Sequence, residues 1–473
     1  MNVDEIRNKI LIAREKRASL REQGVQSGSG SLSLSLNIPG YPKSTSLLSA
    51  FFDDVLSEFK QFLLAHRIPI DTAHEAKQID EAGDFYVVPL LNGRPLAAVK
   101  SLTEAFEERH ALGRIIDIDI ADRRVQPVSS GKLKRCLLCE QPAAVCMREA
   151  NHTYEELREH MDRRIRGYLA DKARQQTCKQ LAGLALKAIL YEIAVSPKPG
   201  LVGRFEQGAH HDMDYFTFID STSVLAGYFE ELALSGYMFQ GADLREALPV
   251  IRLIGLKMET SMFSATEGVN TQKGLIFLIG LALFSAAYVI ARDGKFSMAR
   301  CRETIAAIGA NLVQSELMPT ANAEQTHGKA CFQRYGLEGG GIRKEVEDGL
   351  PSAFEQGLPE LKSELADIGA TAAASKVNAA LIRTLLRLMT VTNDTNILYR
   401  KDLPTLRTVQ RMAQHVLDAE NEEAENERYA QLLSYCRHEN ISPGGSADLL
   451  AVTLFLYFVD RSFSIPSRHT STD

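Results

Sequence analysis

Val3, Ile6, Ile10, Ala13 and Leu20 recur at roughly helical spacing among charges, which predicts an amphipathic first helix. A Gly/Ser loop follows from Gln26 to Ser31. Leu32, Leu34, Leu36 and Ile38 then alternate with serines and Asn37, the period of two expected of a strand, and Pro39-Gly40 ends the run. Leu48, Phe51, Phe52, Val55, Leu56, Phe59 and Phe62 return to the helical period. Phe85 to Leu91 reads as a buried strand before a turn at Asn92-Gly93, Leu102 to Phe106 as helix, and Arg114 to Ile120 as a further strand. Up to about residue 150 the pattern therefore mixes α and β.

Beyond Thr153 helical periods take over: Leu181 to Ile193, Ser223 to Leu234, Thr304 to Leu312, Val377-Leu381-Leu385-Leu388, and Leu449 to Phe458, with Gly/Pro-rich loops between them. The uncharged run from Gly274 to Ala291 is at the short limit for a membrane span and reads instead as a helix buried on all sides. Asp418 to Glu427 is an acidic, solvated stretch, and the tail from Ser467 to Asp473 is expected to fray. The expectation is a multidomain chain: an α+β domain over residues 1–165, then a large all-α multi-helix domain over 166–473.

Composition narrows the classes. The chain has 473 residues, 45% apolar and 24% charged, which suits a globular enzyme. Its 54 basic and 60 acidic residues leave a net charge of −6, which excludes a generally basic nucleic-acid binder but not a local basic pocket. Seven cysteines, an odd number, argue against a disulfide framework, and the charged first segment is unlike a secretory signal. A cytoplasmic protein with no membrane partner is expected, its thiols reduced or metal-bound.

The first sharp chemical signal is Gly113-Arg114-Ile115-Ile116-Asp117-Ile118-Asp119-Ile120. On a strand, the isoleucines share one face and Asp117 and Asp119 the other. Two carboxylates so placed can hold Mg²⁺ against a polyphosphate, with Gly113 letting the chain approach a phosphate; the alternative is a solvated acidic strand. Cys136-x2-Cys139-x6-Cys146-x5-His152 offers four ligands for a structural Zn²⁺, or else a group of plain cysteines near a domain junction. Lys132, Lys134 and Arg135 just before it can meet phosphate.

In the second part, polar clusters sit in the breaks between apolar helices. Lys198 lies on a proline-stiffened loop, followed by Arg204, His210, Asp212 and Asp214. Asn270, Thr271 and Lys273 directly precede the long apolar helix, whose first N–H groups can seat an anion; no Walker loop is present. Further clusters hold His327; Arg343 and Glu345; Asp394 and Asn396; and Gly444, Gly445, Ser446 and Asp448. Each alone suits caps and turns. Together they describe a seat for a magnesium–polyphosphate nucleotide.

The stretches SPKPGLVGRFEQGAHHDM, ATEGVNTQKGLIFLIGL, YGLEGGGIRKE, LMTVTNDTNI and NISPGGSADLLAVTLFL together resemble the triphosphoribosyl-dephospho-coenzyme A synthase family, over roughly residues 180–460. LSLNIPGYPK, GRIIDID and RCLLCEQPAAVC, over about residues 10–160, are similar to the apo-citrate lyase phosphoribosyl-dephospho-coenzyme A transferases. Members of the first family commonly carry His where this chain has Gln272 and Gly where it has Lys344.

The resemblance implies that the helical domain joins ATP to 3′-dephospho-CoA with loss of adenine. It also implies that a nucleotidyltransferase-like first domain passes the phosphoribosyl-dephospho-CoA unit to a serine of the acyl carrier protein (gamma) subunit of citrate lyase, releasing pyrophosphate. On that reading Asp212 or Asp394 is the base or a metal ligand. Lys198, Arg204, His210, Asn270, Thr271, Lys273, His327, Arg343, Glu345, Asn396, Gly444, Gly445, Ser446 and Asp448 form the substrate seat. Asp117 and Asp119 hold Mg²⁺, with Arg114 and Arg135 beside them. The competing expectation is a non-catalytic ATP-sensing or assembly protein with a zinc-like docking module.

Overall fold

The serine–leucine alternation dictates the first sheet. In the computed structural model, which describes residues 3–26, 28–318, 326–366 and 373–464, β1 (Gly30–Leu36) buries Leu32 and Leu34 completely on one face. The expected frayed tail, 467–473, lies outside these residues. The described residues fall into two compact units that divide between Ala173 and Arg174.

The first unit runs α1 (Val3–Gln26), β1, α2 (Ser46–Ala65), β2 (Ala76–Asp80), β3 (Gly83–Leu90), α3 (Leu96–Arg109), β4 (Ile116–Asp122), α4 (Ala143–Arg148) and the start of α5 (Tyr154–Ala194). Its four strands form one antiparallel sheet in the order β2-β3-β1-β4. Register places Leu34 opposite Ile118 and Tyr86, and Leu32 opposite Ile120 and Val88, so these residues share the core face. Phe51, Phe52, Val55 and Phe59 of α2 belong to the same core and are fully buried. Burying each such side chain stabilises by roughly 1.5–3 kcal/mol.

The other sheet face follows from the same register. Ser33 lies opposite Asp119, and Ser35 opposite Asp117. α1 approaches β1, β3 and β4, and its Arg17 and Arg21 lie over the Phe85 ring, 4.8 and 5.3 Å from the centroid. A polar strand face is thus covered by a basic helix, which sets up the first site.

The second unit is helical throughout its described residues: the end of α5, then α6 (Tyr215–Leu225), α7 (Phe229–Met238), α8 (Ala247–Ala265), α9 (Lys273–Asp293), α10 (Met298–Ile308), α11 (Leu312–Leu317), α12 (His327–Tyr335), α13 (Gly341–Glu347), α14 (Leu358–Ala366), α15 (Ala374–Val391), α16 (Thr395–Arg400), α17 (Leu403–Leu417), α18 (Glu422–His438) and α19 (Gly444–Phe463). α9 is long and apolar enough to cross a membrane by length and composition, but its side chains from Leu278 to Ala287 are almost all buried. Its neighbours are α7, α8, α10 and α19, so the apolar surface faces protein. Gly236 of α7 makes one of these approaches; a Cβ there would lie 2.2 Å from the Phe284 carbonyl oxygen.

Candidate functional site

Strand alternation sets the geometry of the first site. Ile116, Ile118 and Ile120 are buried, Asp117 is half-buried and Asp119 is exposed. Both carboxylates border a cavity of about 350 Å³ that Arg14, Arg17, Arg21, Ser35 and Lys43 also line. The three arginines are spaced three and four apart, so one face of α1 presents them together. Arg17 is held by Asp80, at 2.6 and 3.0 Å, and by the Gly83 carbonyl at 2.7 Å. Arg21 reaches Asp119 at 3.3 Å, and Lys134 pairs with Asp117. Lys43 donates to the Ile38 carbonyl at 2.5 Å, and burial together with Arg14 and Arg158 lowers its pKa.

Partial desolvation within the cavity and the neighbouring Asp117 raise the pKa of Asp119. Glu107, on α3, accepts the Ile118 N–H at 2.7 Å, and burial pushes its carboxyl up to about 7. Glu107 and the α1 arginines were missed in the sequence. The only available signal for the arginines was their common helical face.

Other expectations in this unit are placed elsewhere. Gly113 faces the Glu107 carbonyl, where a Cβ would lie 1.6 Å from the oxygen. The glycine is thus explained by chain packing rather than by approach to a phosphate. Arg114 does not line the cavity; it donates to the carbonyls of Cys136 and Cys139 at 3.1 and 3.2 Å and pairs with Glu140 at 2.6 Å. Arg135 pairs with Glu140 as well, at 2.7 Å. Cys136, Cys139, Cys146 and His152 come together, each offering a ligand atom within 4.8 Å of the others.

In the second unit the centre is Asp394, 2% exposed. It caps α16, accepting from Asn396 N at 2.9 Å, and it accepts from Ser446 N in the first turn of α19 at 3.1 Å. Two helix N-termini therefore converge on one carboxylate. Burial nonetheless pushes its pKa up to about 6. Gly445 makes this approach feasible: a Cβ there would lie 3.1 Å from Asp394 Oδ2, and one on Gly444 would lie 2.6 Å from Asn396 Nδ2.

Asp448, one turn along α19, is half-buried, and its Oδ2 would lie 2.2 Å from a Cβ on Gly274 at the start of α9. Burial, with Glu192 and Asp394 nearby, raises its pKa well above the ordinary range. Gly341 packs on Thr395, and a cavity of about 280 Å³ is lined by Gly341, Lys344, Glu345 and Asn393 among others. The Gly444–Asp448 turn, Asp394, Asn396 and the start of α9 thus meet. Glu192, unmarked in the sequence because it sits in an apolar helical run, belongs to the same neighbourhood.

Several expected phosphate ligands are engaged otherwise. Lys198 is buried and donates to Glu192 Oε1 at 2.6 Å and to the Glu192 carbonyl at 2.9 Å, so its amine is not free for a phosphate. Arg343 pairs with Glu316 at 2.8 Å, and Arg252 shares that carboxylate. Lys273 is exposed and pairs with Glu259 at 2.8 Å. Glu345 accepts from Ser352 Oγ at 2.6 Å, and burial raises its pKa.

Arg204 points outward over the Phe205 ring. Asp212 is exposed, 3.7 Å from His210 Nδ1, whereas His210 Nε2 lies 2.8 Å from Ser442 Oγ beside the α19 turn. His327 is exposed and stacks on Tyr399 with centroids 3.7 Å apart. Asn270 Oδ1 accepts from Lys273 N, and Thr271 donates to Ser221. Gln272 is buried: Oε1 accepts from Ser221 at 2.7 Å, while Nε2 has no hydrogen-bond partner among the described residues.

Comparison with known proteins agrees with this division. Residues 178–467 match the family model of the ATP:dephospho-CoA triphosphoribosyl transferases, and residues 6–168 match that of the apo-citrate lyase phosphoribosyl-dephospho-CoA transferases. The chain is 30% identical over 438 residues to Protein CitXG of Leuconostoc mesenteroides subsp. cremoris, covering 90% of each chain. It is 29% identical over 469 residues to Protein CitXG of Haemophilus influenzae, covering 94% of each. Over 286 residues it is 36% identical to a probable 2-(5''-triphosphoribosyl)-3'-dephosphocoenzyme-A synthase of Vibrio cholerae serotype O1, covering 60% of this chain and 88% of that protein. The chain therefore belongs to the ATP:dephospho-CoA triphosphoribosyl transferase family, in the two-part form whose first segment matches the apo-citrate lyase phosphoribosyl-dephospho-CoA transferases.

Proposed function

We propose that the chain is a bifunctional cytoplasmic enzyme that makes and installs the prosthetic group of citrate lyase. In the helical unit, the 2′-hydroxyl of 3′-dephospho-CoA attacks C1″ of the ATP ribose. The bond to the base breaks, adenine leaves with a proton, and 2′-(5″-triphosphoribosyl)-3′-dephospho-CoA forms. In the first unit, a serine Oγ of the apo acyl carrier protein, the gamma subunit of citrate lyase, attacks the α-phosphorus and pyrophosphate leaves.

The observation that carries this reading is the coincidence of each compact unit with one matched segment, 174–469 with 178–467 and 1–173 with 6–168. The product of one segment is the substrate of the other.

In the helical unit we assign Asp394 the role of fixing the first turns of α16 and α19, so that their remaining N–H groups face the nucleotide. Among the described residues Asp448 has no hydrogen bond that would favour its charged form, and its raised pKa suits a proton donor to the departing base. The first unit we read as nucleotidyltransferase-like. Asp117 and Asp119 would hold Mg²⁺, since both carboxylates reach one cavity and are already balanced by cations. Bound there, the ion neutralises the triphosphate and eases departure of pyrophosphate. Arg14, Arg21 and Lys43 then take phosphate oxygens.

Incubation with ATP and 3′-dephospho-CoA tests the first step: free adenine supports it, whereas ATP bound without adenine release favours the ATP-sensing or assembly reading. Adding apo carrier protein tests the second by its gain in mass and by pyrophosphate release.

A further inference from the structure

We propose that Cys136, Cys139, Cys146 and His152 bind one zinc ion, and that this centre holds Lys134 and Arg114 in register with the Asp117–Asp119 strand. The positioning half rests on the reading of that strand given above; the metal site does not.

The geometry is that of a zinc knuckle. Tetrahedral Zn²⁺ with Zn–S bonds of about 2.3 Å puts its sulfurs about 3.8 Å apart. Cys136 Sγ and Cys146 Sγ are 3.5 Å apart, too far for a disulfide, and all four ligand atoms lie within 4.8 Å of one another. Cys136 N donates to the Gln141 carbonyl and Ala143 N to the Lys134 carbonyl, both at 2.8 Å, closing a tight hairpin around Cys139. The Leu138 N–H points at Cys136 Sγ, at 3.5 Å, as second-sphere donors do toward a ligating sulfur. Asn151 N closes a turn on the Cys146 carbonyl, which brings in His152, whose Nε2 is buried with no hydrogen-bond partner among the described residues.

The segment also has little else to fold around. Leu133 and Met147 are 77% and 69% exposed, and of the apolar side chains around the hairpin Leu137 packs on the sheet core only in part. A short segment so poor in core is stable when a metal supplies the folding energy.

Two strong contacts run from the knuckle to the candidate site. Arg114, two residues before β4, donates to the carbonyls of both Cys136 and Cys139. Lys134, whose carbonyl closes the hairpin, pairs with Asp117. Losing the ion would release both anchors at once.

The test uses full-length protein purified under reducing conditions. About one zinc per chain by elemental analysis is expected, falling well below that in Cys139→Ser and in His152→Ala. Replacing zinc by cobalt in the unmutated protein should give thiolate-to-cobalt charge-transfer bands and tetrahedral d–d bands, so the result does not depend on a variant folding. Folded, reduced protein that takes up neither metal overturns the site, as does a Cys136–Cys146 disulfide found by mass spectrometry. Zinc removal should abolish carrier labelling while leaving adenine release unchanged. Lys134→Ala should keep its zinc and lose labelling, with partial rescue by Lys134→Arg. Full labelling by zinc-free protein, or by zinc-loaded Lys134→Ala, refutes the positioning role alone.

Discussion

Replacing Lys198 by methionine separates two roles that a lysine in this loop could have. Its side chain is 2% exposed and that of Glu192 is 6% exposed, with the charged atoms 2.6 Å apart. Their attraction at that distance is about 6 kcal/mol for an effective dielectric of about 20, set against the cost of removing both ions from water. Lys198→Met keeps the bulk of the stem but strands the Glu192 carboxylate, and breaking a buried pair in this way costs about 3–5 kcal/mol. Against the roughly 5–15 kcal/mol of a typical domain, that is a large shift in the urea midpoint of the helical unit, read by far-ultraviolet circular dichroism. The double variant Lys198→Met, Glu192→Leu should recover most of the loss, because no unpaired charge remains. Its KM for ATP should stay within a few fold. A single variant as stable as the parent, or a stable double variant whose KM for ATP rises by roughly 10²-fold or more, would refute the structural role and return Lys198 to the phosphates.

Asp117→Asn and Asp119→Asn should each reduce carrier labelling by at least roughly 10²-fold with adenine release unchanged, measured in parallel on one preparation. Asp448→Asn should cut adenine release by roughly 10²-fold, the usual scale for a lost acid–base group, while ATP binding by calorimetry stays near normal. Asp394 gives a pH dependence of definite sign. Its folded pKa of about 6 stands above the ordinary 3.8, so the folded protein takes up that proton more readily than the unfolded chain. Its contribution to stability therefore declines as pH rises from about 4 to about 6. Asp394→Asn should flatten that part of the stability–pH curve, and an unchanged slope relative to the parent would contradict the assignment. Gly200→Ala should destabilise by more than about 1 kcal/mol, since φ is +67° and the new Cβ would lie 1.8 Å from the Ile441 carbonyl oxygen.

Legibility followed periodicity. The serine–leucine strand, the Asp-x-Asp strand and the phenylalanine-rich α2 were readable because each has one clean face. β2 was not, because its sequence AKQID is a short edge strand without alternation. α5 was visible only from Leu181, because the apolar stripe of its first half, Leu157, Met161, Ile165 and Leu169, is narrow and set among charges.

The sites divide the same way. Asp394, Gly445 and Asp448 stood out as polar residues in breaks between apolar helices, and they meet. Lys198, Arg343 and Lys273 stood out for the same reason, but each is matched by a glutamate remote in pattern: Glu192, Glu316 and Glu259. Ion pairing is a tertiary fact that charge alone does not announce. Arg14, Arg17 and Arg21 were overlooked because charges on a first helix ordinarily face water; here the sheet's serine face leaves room for them.

The two aspartates of β4 each have a cation at hand, Arg21 and Lys134. On the proposed magnesium reading, a bare ion would have to evict both and leave them without counter-charge. An ion delivered as a chelate by an incoming triphosphate would bring the anions that rehouse them. On that reading metal and substrate would enter as one species, and metal titrated alone should bind feebly.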